Sequence, residues 1–461
     1  MPRLLPFRGL RPNPAVAPLT DVVCPPYDVI SKQQRAELLA RSPYNVVRVE
    51  LPAGDYEGAA VLLAKWKASG ALRREAAPAL YGYRMTHRGP GGAQRETLGV
   101  MGALVLEPPG KGILPHEQTT PKDKSDRLEL IRATRANTSP IWCLCSEPGL
   151  GALLGGGEAP PSHAAAGAGE NGVRAARSWP AAEAAQEAAG SAASADLAAS
   201  AVDDDGVTHE IWPIFGPAAY EAISKLTSAA PLLVADGHHR YETALTYLAE
   251  VAQASALADL AGHPLAFGAG YTPSAGDAPG AGDTAGPGAG DTAGPGAVLA
   301  LVVELSEQYL QVMAIHRSVS GLPAGTDVLA AFAEGFELSR AAADGPALLD
   351  QMVRVGAVAV VTGRGSFLAK ARPGHPSAAF ELDSSRVDAA LAGLPPHRLS
   401  YEHDLERALA GVREGRLDAA ILCRPATVAQ IAATAHGGER MPPKTTFFWP
   451  KPRTGMVLRD W

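Results

Sequence analysis

Between Gly149 and Asp205 the chain is built almost wholly from Ala and Gly, with scattered Ser, Glu and Pro and almost no large apolar side chain. A segment of that composition cannot bury enough surface to offset the backbone entropy of ordering it, which predicts a disordered linker with at most transient helix. The folded part of the 461-residue chain must therefore form on either side of it. A second stretch, 273–297, is rich in Gly and Pro and carries an eight-residue duplication, "GAGDTAGP", beginning at Gly280 and again at Gly288. Two copies cannot stack into a repeat core, so an elongated surface loop is expected. The resulting layout is an N-terminal part over 1–148, a linker over 149–206, and a C-terminal part over 207–461 that contains the 273–297 loop.

Outside these stretches, short apolar runs alternate with amphipathic ones. "LGVMGALVLEP", "SPIWCLCS", "PLLVAD", "AVLALVVEL", "RVGAVAVVTG" and "LDAAILC" have strand length and composition. "YEGAAVLLAKWKASG", "RLELIRATRA", "HRYETALTYLAEVAQ" and "DLERALAGVREG" carry helical spacing. The expected fold class is α/β or α+β, with mixed sheets and flanking helices. Cys143 and Cys145 alternate within "PIWCLCS", which reads as a buried strand and not as a CxxC metal or redox motif.

A net charge of -7, from 41 basic and 48 acidic residues, is mild, and no run supplies the concentrated basic face that nucleic acid requires. Nucleic acid is not the expected partner; a small-molecule substrate is, and oligomeric state is not readable. No apolar stretch reaches the length of a membrane span, and Pro and Arg interrupt the apolar residues of "MPRLLPFRGLRPNPAVAPLTDVV" where a secretory signal would be continuous. A cytoplasmic location is expected.

Four segments concentrate polar chemistry. In "CPPYDVIS" the Pro pair fixes an extended turn that holds Tyr27 and Asp28 in place, as a capped turn or as part of a substrate site. In "GILPHEQTTPKDKSDRLELIRATRANTSP" an imidazole and carboxylate pair, His116 and Glu117, precedes a helix bearing Lys124, Arg127 and Arg132. Cations near a carboxylate favour its ionised form, so Glu117 is a candidate base, while Lys124 and Arg127 are candidate phosphate ligands or simply a solvated helix face.

The third segment, "VADGHHRYETAL", sets Asp236 at the end of an apolar run. Gly237 permits a tight turn there, and His238, His239 and Arg240 open a helix whose N-terminal amides can receive an anion. Adjacent helical residues diverge by about 100°, so the two histidines cannot face one point. The fourth, "MPPKTTFFWPKPRTG", alternates Lys444, Lys451 and Arg453 with aromatics and prolines; Phe447, Phe448 and Trp449 read as an edge strand, and Lys444 as a phosphate ligand. "AIHRSV" places His316 and Arg317 past another strand.

Taken in order, "PPYDVIS", "LPHEQTTPKDKSDR", "NTSPIW", "ADGHHRYETAL", "HRSV" and "MPPKTTFFWPK" resemble the bacterial and archaeal family catalogued as domain of unknown function 1015. Within it, "DGHHRY" resembles the signature of the ParB/sulfiredoxin-like fold, and "HE" upstream of "DGHHR" is similar to the pattern in free-serine kinases of that fold. The resemblance implies a phosphotransferase acting on the hydroxyl of free serine or a similar compound, with a nucleotide or pyrophosphate as donor; phosphoryl transfer usually needs Mg²⁺ as well, and Asp236 is expected to hold it or to orient an imidazole. The resemblance also implies Glu117 as base and Asp236, His238, His239 and Arg240 at the phosphates. His116 and His238 are carried as catalytic candidates, Gly237 and Lys444 as phosphate or nucleotide ligands, Tyr27 and Asp28 as substrate ligands. The alternatives are a phosphoserine phosphatase on the same site and a ParB-like nucleotide-binding regulator without turnover.

Overall fold

The computed structural model describes residues 1–89, 92–115, 124–155, 198–260, 293–374, 382–437 and 439–461, the side chains of Lys124, Ser125, 257–260 and His436 excepted. The chain forms two compact units, one drawn from Met1–Leu114, Thr120–Leu310 and Pro450–Trp461, the other from Gln311–Trp449 with Pro115–Thr119. Among the described residues no helix is long and apolar enough to cross a membrane.

The first unit is organised by a nine-stranded mixed sheet. Its strands are β1 (Leu4–Leu5), β2 (Leu80–Arg88), β3 (Gln94–Val105), β4 (Ile113–Pro115), β5 (Ile141–Cys145), β6 (Ala199–Val202), β7 (Thr208–Ile214), β8 (Leu232–Asp236) and β9 (Ala297–Glu304). Their order is β4-β8-β5-β9-β3-β2-β7-β6, with β1 beside β3. Strand β9 runs parallel to β5 and antiparallel to β3, and nearly every residue of β5 and β9 is buried. Burial on both faces explains why these strands read as unbroken apolar runs and not as alternation. Cys143 and Cys145 lie in β5, and all four cysteines are buried and free.

Helices α1 (Tyr56–Ala68), α2 (Lys124–Thr134) and α3 (His238–Leu260) pack in sequence, α1 on α2 and α2 on α3. A second apolar cluster gathers Leu63 and Trp66 of α1 and Leu130 of α2 with Leu10, Leu38, Val47 and Leu458. Leu458 belongs to the C-terminal segment, which returns through this unit almost wholly buried: Leu458 exchanges backbone hydrogen bonds with Leu10, and Thr454 with Cys24. The described margins of the Ala/Gly stretch are ordered pieces, a short helix at Leu150–Leu153 and strand β6, paired to β7. The remainder of that stretch, and 273–292 of the Gly/Pro stretch, lie outside the described residues.

The second unit holds a six-stranded sheet of β10 (His316–Ser320), β11 (Phe336–Arg340), β12 (Val358–Thr362), β13 (Gly365–Ala371), β14 (Arg398–Glu402) and β15 (Ala419–Leu422), ordered β11-β13-β12-β15-β10-β14. Every pairing is antiparallel. Side chains of β12 and β15 alternate between two cores: Val358, Val360 and Ile421 join Phe332, Phe336 and Val387, while Ala359, Val361 and Leu422 join Leu348, Met352 and Val412. The strand period of two places each set against its own layer of helices. Phe447–Trp449 pairs with Gln311–Met313 as a separate two-stranded sheet, as the aromatic run predicts.

Candidate functional site

The site assembles in the first unit where β8 gives way to α3. The pairing of β8 with β5 shifts register between Val234 and Asp236, a bulge that re-aims the residue after it. Gly237 then takes φ +85°, a left-handed conformation that costs a residue with a side chain 1–3 kcal/mol in rough terms. It also leaves room: a Cβ at this position would lie 2.9 Å from Arg240 Nη2. Arg240 uses that space to fold back from the first turn of α3, donating from Nη2 to Asp236 Oδ2 at 3.2 Å and from Nη1 to the Pro140 carbonyl.

The other oxygen of Asp236 is held by Lys451, whose Nζ donates to Oδ1 at 3.0 Å. Burial alone would raise the Asp236 carboxyl, but Lys451 and Arg240 outweigh it and hold its pKa down at about 2. Asp28 shifts the opposite way. Crowding removes water from its carboxyl, and the charge of Asp236 nearby adds to the rise, against the pull of Arg240 and Lys451. The two carboxyls thus occupy one electrostatic environment that ionises the first and disfavours ionising the second.

Tyr27, beside Asp28 in the short 3₁₀ turn Tyr27–Val29, lies under the Arg127 guanidinium, 4.3 Å from ring centroid to Cζ. Loss of solvent pushes its hydroxyl up to about 12, with Arg240 pulling against the rise. Arg127 is fixed by Asp126 at 2.5 Å and by Glu50 at 3.4 Å. Glu50 is only 1% exposed, and its oxygens also accept from the Thr138 and Ser139 hydroxyls, the latter at 3.2 Å. A buried carboxylate is tolerable only when compensated in this manner. Glu50, Arg127, Thr138 and Ser139, with Arg240 and Thr243, border a recess of about 50 Å³.

Of the residues singled out from sequence, the structure gathers Tyr27, Asp28, Arg127, Asp236, Gly237 and Arg240 in this unit, and His238 lies near enough to Asp236 to favour its ionised form. His239 stands in the first turn of α3. Lys444 belongs to the second unit, exposed on a turn with φ +58°, its carbonyl accepting from Arg317 Nη1 at 3.1 Å. His116 and Glu117 and the side chain of Lys124 lie outside the described residues. Sequence reasoning missed Glu50, Thr138, Ser139 and Thr243 as groups bordering the recess, and Lys451 as the partner of Asp236. Thr138, Ser139 and Lys451 stood inside quoted motifs, and an acid amid the apolar "NVVRVELP" was the available signal for Glu50.

A magnesium ion expected on Asp236 meets a specific obstacle, since each oxygen already accepts from a cation. Among the described residues no cluster of three or more His, Cys, Asp or Glu is placed to hold a metal. As arranged here, Asp236 does not fit a metal ligand; it fits the anchor of a cation pair.

Fold and site together define a mixed α/β protein in which a strand end meets a helix N-terminus beside a recess bordered by two guanidinium groups, Arg127 and Arg240. The chain belongs to the family described as protein of unknown function, DUF1015, whose model matches residues 4–175 and 175–387. No curated protein matches it. Among solved structures it is similar to a free serine kinase in complex with AMP, at 13% identity and TM-score 0.33 over 73% of this chain and 83% of that one. It is also similar to a conserved hypothetical protein from Pyrococcus furiosus, at 13% identity and TM-score 0.31 over 74% and 88%. A third likeness is SbnI with C-terminal truncation from Staphylococcus aureus, at 11% and TM-score 0.35 over 77% and 85%.

Proposed function

We propose that the protein is a small-molecule phosphotransferase that moves a phosphoryl group from a nucleotide or pyrophosphate to the hydroxyl of free serine or a similar compound. The observation that carries this reading is the Asp236 clamp: one carboxylate, at the start of a helix, holds Arg240 and Lys451 side by side. Phosphoryl transfer asks a protein mainly for positioned positive charge along the transferring group, and a helix N-terminus adds its backbone amides. Arg240 and Lys451 meet the donor's phosphates, and Asp236 keeps both cations aimed without a reorganisation cost at the moment of reaction. Magnesium, in this proposal, accompanies the donor's phosphates; no step is assigned to it.

The acceptor oxygen forms its bond to phosphorus as the bond to the donor's bridging oxygen breaks. The hydroxyl proton passes to a carboxylate, the role that the motif resemblance gives Glu117. Tyr27 and Asp28 face the acceptor. Asp28, held toward its neutral form, donates a hydrogen bond where an ionised acid would repel the phosphate.

Phosphorus NMR of the protein with Mg²⁺, serine and, in separate samples, ATP, ADP and pyrophosphate tests the reading. Phosphoserine should appear with at least one donor, and Glu117→Gln should slow its formation by about 100-fold, the scale of general-base catalysis. Orthophosphate released from phosphoserine alone selects the phosphatase, and nucleotide binding without turnover selects the regulator.

A further inference from the structure

Among the described residues, two of those that border the recess, Arg240 and Thr243 of α3, each carry a buried hydrogen-bonding atom with no partner. Arg240 spends its Nη2 on Asp236 and its Nη1 on the Pro140 carbonyl, and its Nε, a donor with no acceptor capacity, is buried and unpaired. Thr243, three residues later and therefore on the same helix face, is 4% exposed, and its Oγ1 is likewise buried and unpaired. Both residues border the same recess. A buried donor left unmet is costly, and two on residues that border one small recess mark a place built for an acceptor.

The walls narrow the chemistry of that acceptor. Among the described residues, the ionisable ones bordering the recess are two guanidinium groups, Arg127 and Arg240, and one carboxylate, Glu50. Glu50 is turned toward Arg127, Thr138 and Ser139, so its charge is compensated within the wall. About 50 Å³ is room for a few water-sized groups, enough for one phosphoryl or carboxylate head and far too little for a nucleoside.

We infer that this recess is an oxyanion subsite, with Arg240 Nε and Thr243 Oγ1 as its two donors. Thr243 becomes a ligand-binding residue of the pocket. The inference deepens the phosphotransfer reading and rests on it for the source of the anion: the terminal phosphate of a donor or product, or the carboxylate of the acceptor. The shared chemistry is a compact oxyanion.

Titration calorimetry of the full chain in EDTA, with orthophosphate in one arm and acetate in the other, decides the matter. The wild type should bind at least one anion, and the arm that responds identifies the source. Thr243→Val, nearly isosteric, should weaken that binding about tenfold, the loss expected for a hydrogen bond to a charged group. Thr243→Ser should stay close to wild type, and melting curves check that all three are folded. Equal binding by wild type and Thr243→Val, or no binding of either anion, overturns the inference and leaves the recess a water-filled cavity. Phosphoserine formation, assayed separately, keeps the two readings apart. Turnover with an unaffected Thr243→Val sinks the subsite alone, whereas anion binding that Thr243→Val abolishes, with no phosphoserine from any donor, sinks the kinase alone.

Discussion

Lys451 Nζ reaches Asp236 Oδ1 at 3.0 Å across 215 positions of sequence, and this pairing joins the C-terminal segment to the end of β8. It is reinforced two residues later, where Arg453 pairs with Asp203 at 2.5 Å and its backbone N–H donates to the Tyr83 hydroxyl at 3.0 Å. That hydroxyl bonds His209 Nδ1 at 2.7 Å, and His209 Nε2 bonds Asp203 at 2.9 Å. Lys451 is therefore delivered to Asp236 by a segment fixed in the interior of the unit.

Replacing Lys451 by Ala removes one of the two cations at Asp236. Donor affinity, measured by calorimetry with pyrophosphate, should fall about tenfold or more, since charge-assisted hydrogen bonds contribute roughly 1.5–3 kcal/mol. Lys451→Arg should recover most of it. Affinity unchanged in Lys451→Ala would mean that Lys451 serves the fold only.

Gly237→Ala should be costly out of proportion to one methyl group. It forces a left-handed φ on a residue with a side chain and drives Cβ against Arg240. A destabilisation of roughly 1–3 kcal/mol is expected in denaturant melts. The displaced guanidinium should also weaken anion binding, an effect that strain elsewhere in the fold would not produce.

Two buried groups contribute to the acid limb of stability in different windows, alongside His209, also lowered by burial, and Asp203, also held down by its partners. Desolvation, helped by the neighbouring Arg317, lowers His316 to about 4. Above the ordinary histidine value of 6.5 neither folded nor unfolded chain is protonated there. Between 6.5 and about 4 only the unfolded chain takes up the proton, so stability falls with pH and levels off once the folded form also protonates. The loss is about 3 kcal/mol at full extent, and His316→Asn should flatten it. Asp236, held at about 2, contributes stability above the ordinary carboxyl value of 3.8 that is lost as pH falls through about 2. Denaturant midpoints from pH 7 to pH 2 should show the histidine loss first; an unchanged slope in His316→Asn would remove that residue from the account.

Deleting 156–197 should move the melting transition by no more than about 2 °C, because an Ala/Gly segment buries little. Extending the deletion through Val202 should lower it further, because Ala199–Val202 pairs with β7 and Val202 is followed by Asp203, the partner of Arg453 and His209. Equal melting of the two deletion variants would show that β6 adds no stability.

The sequence alone determined the elements and the chemistry of the strand end. β5, β8, β9, β12 and β15 were legible because strands buried on both faces must be apolar throughout, and α1, α2 and α3 because a one-sided helix must repeat its apolar residues every three to four positions. Asp236, Gly237 and Arg240 were legible as a unit because a turn into a helix N-terminus is a local geometry, complete within five residues. Tertiary structure alone decided what meets them. Nothing local distinguishes Lys451, which reaches Asp236, from Lys444, which the second unit holds on an exposed turn: both follow a proline in a basic, aromatic segment. Glu50 became a pocket residue only when α2 brought Arg127 across its carboxylate, and Thr243 only when its helix turned one face to the same recess. Electrostatic partnership is set by distance in space, and sequence separation places almost no constraint on which charges the packed core brings within 4 Å.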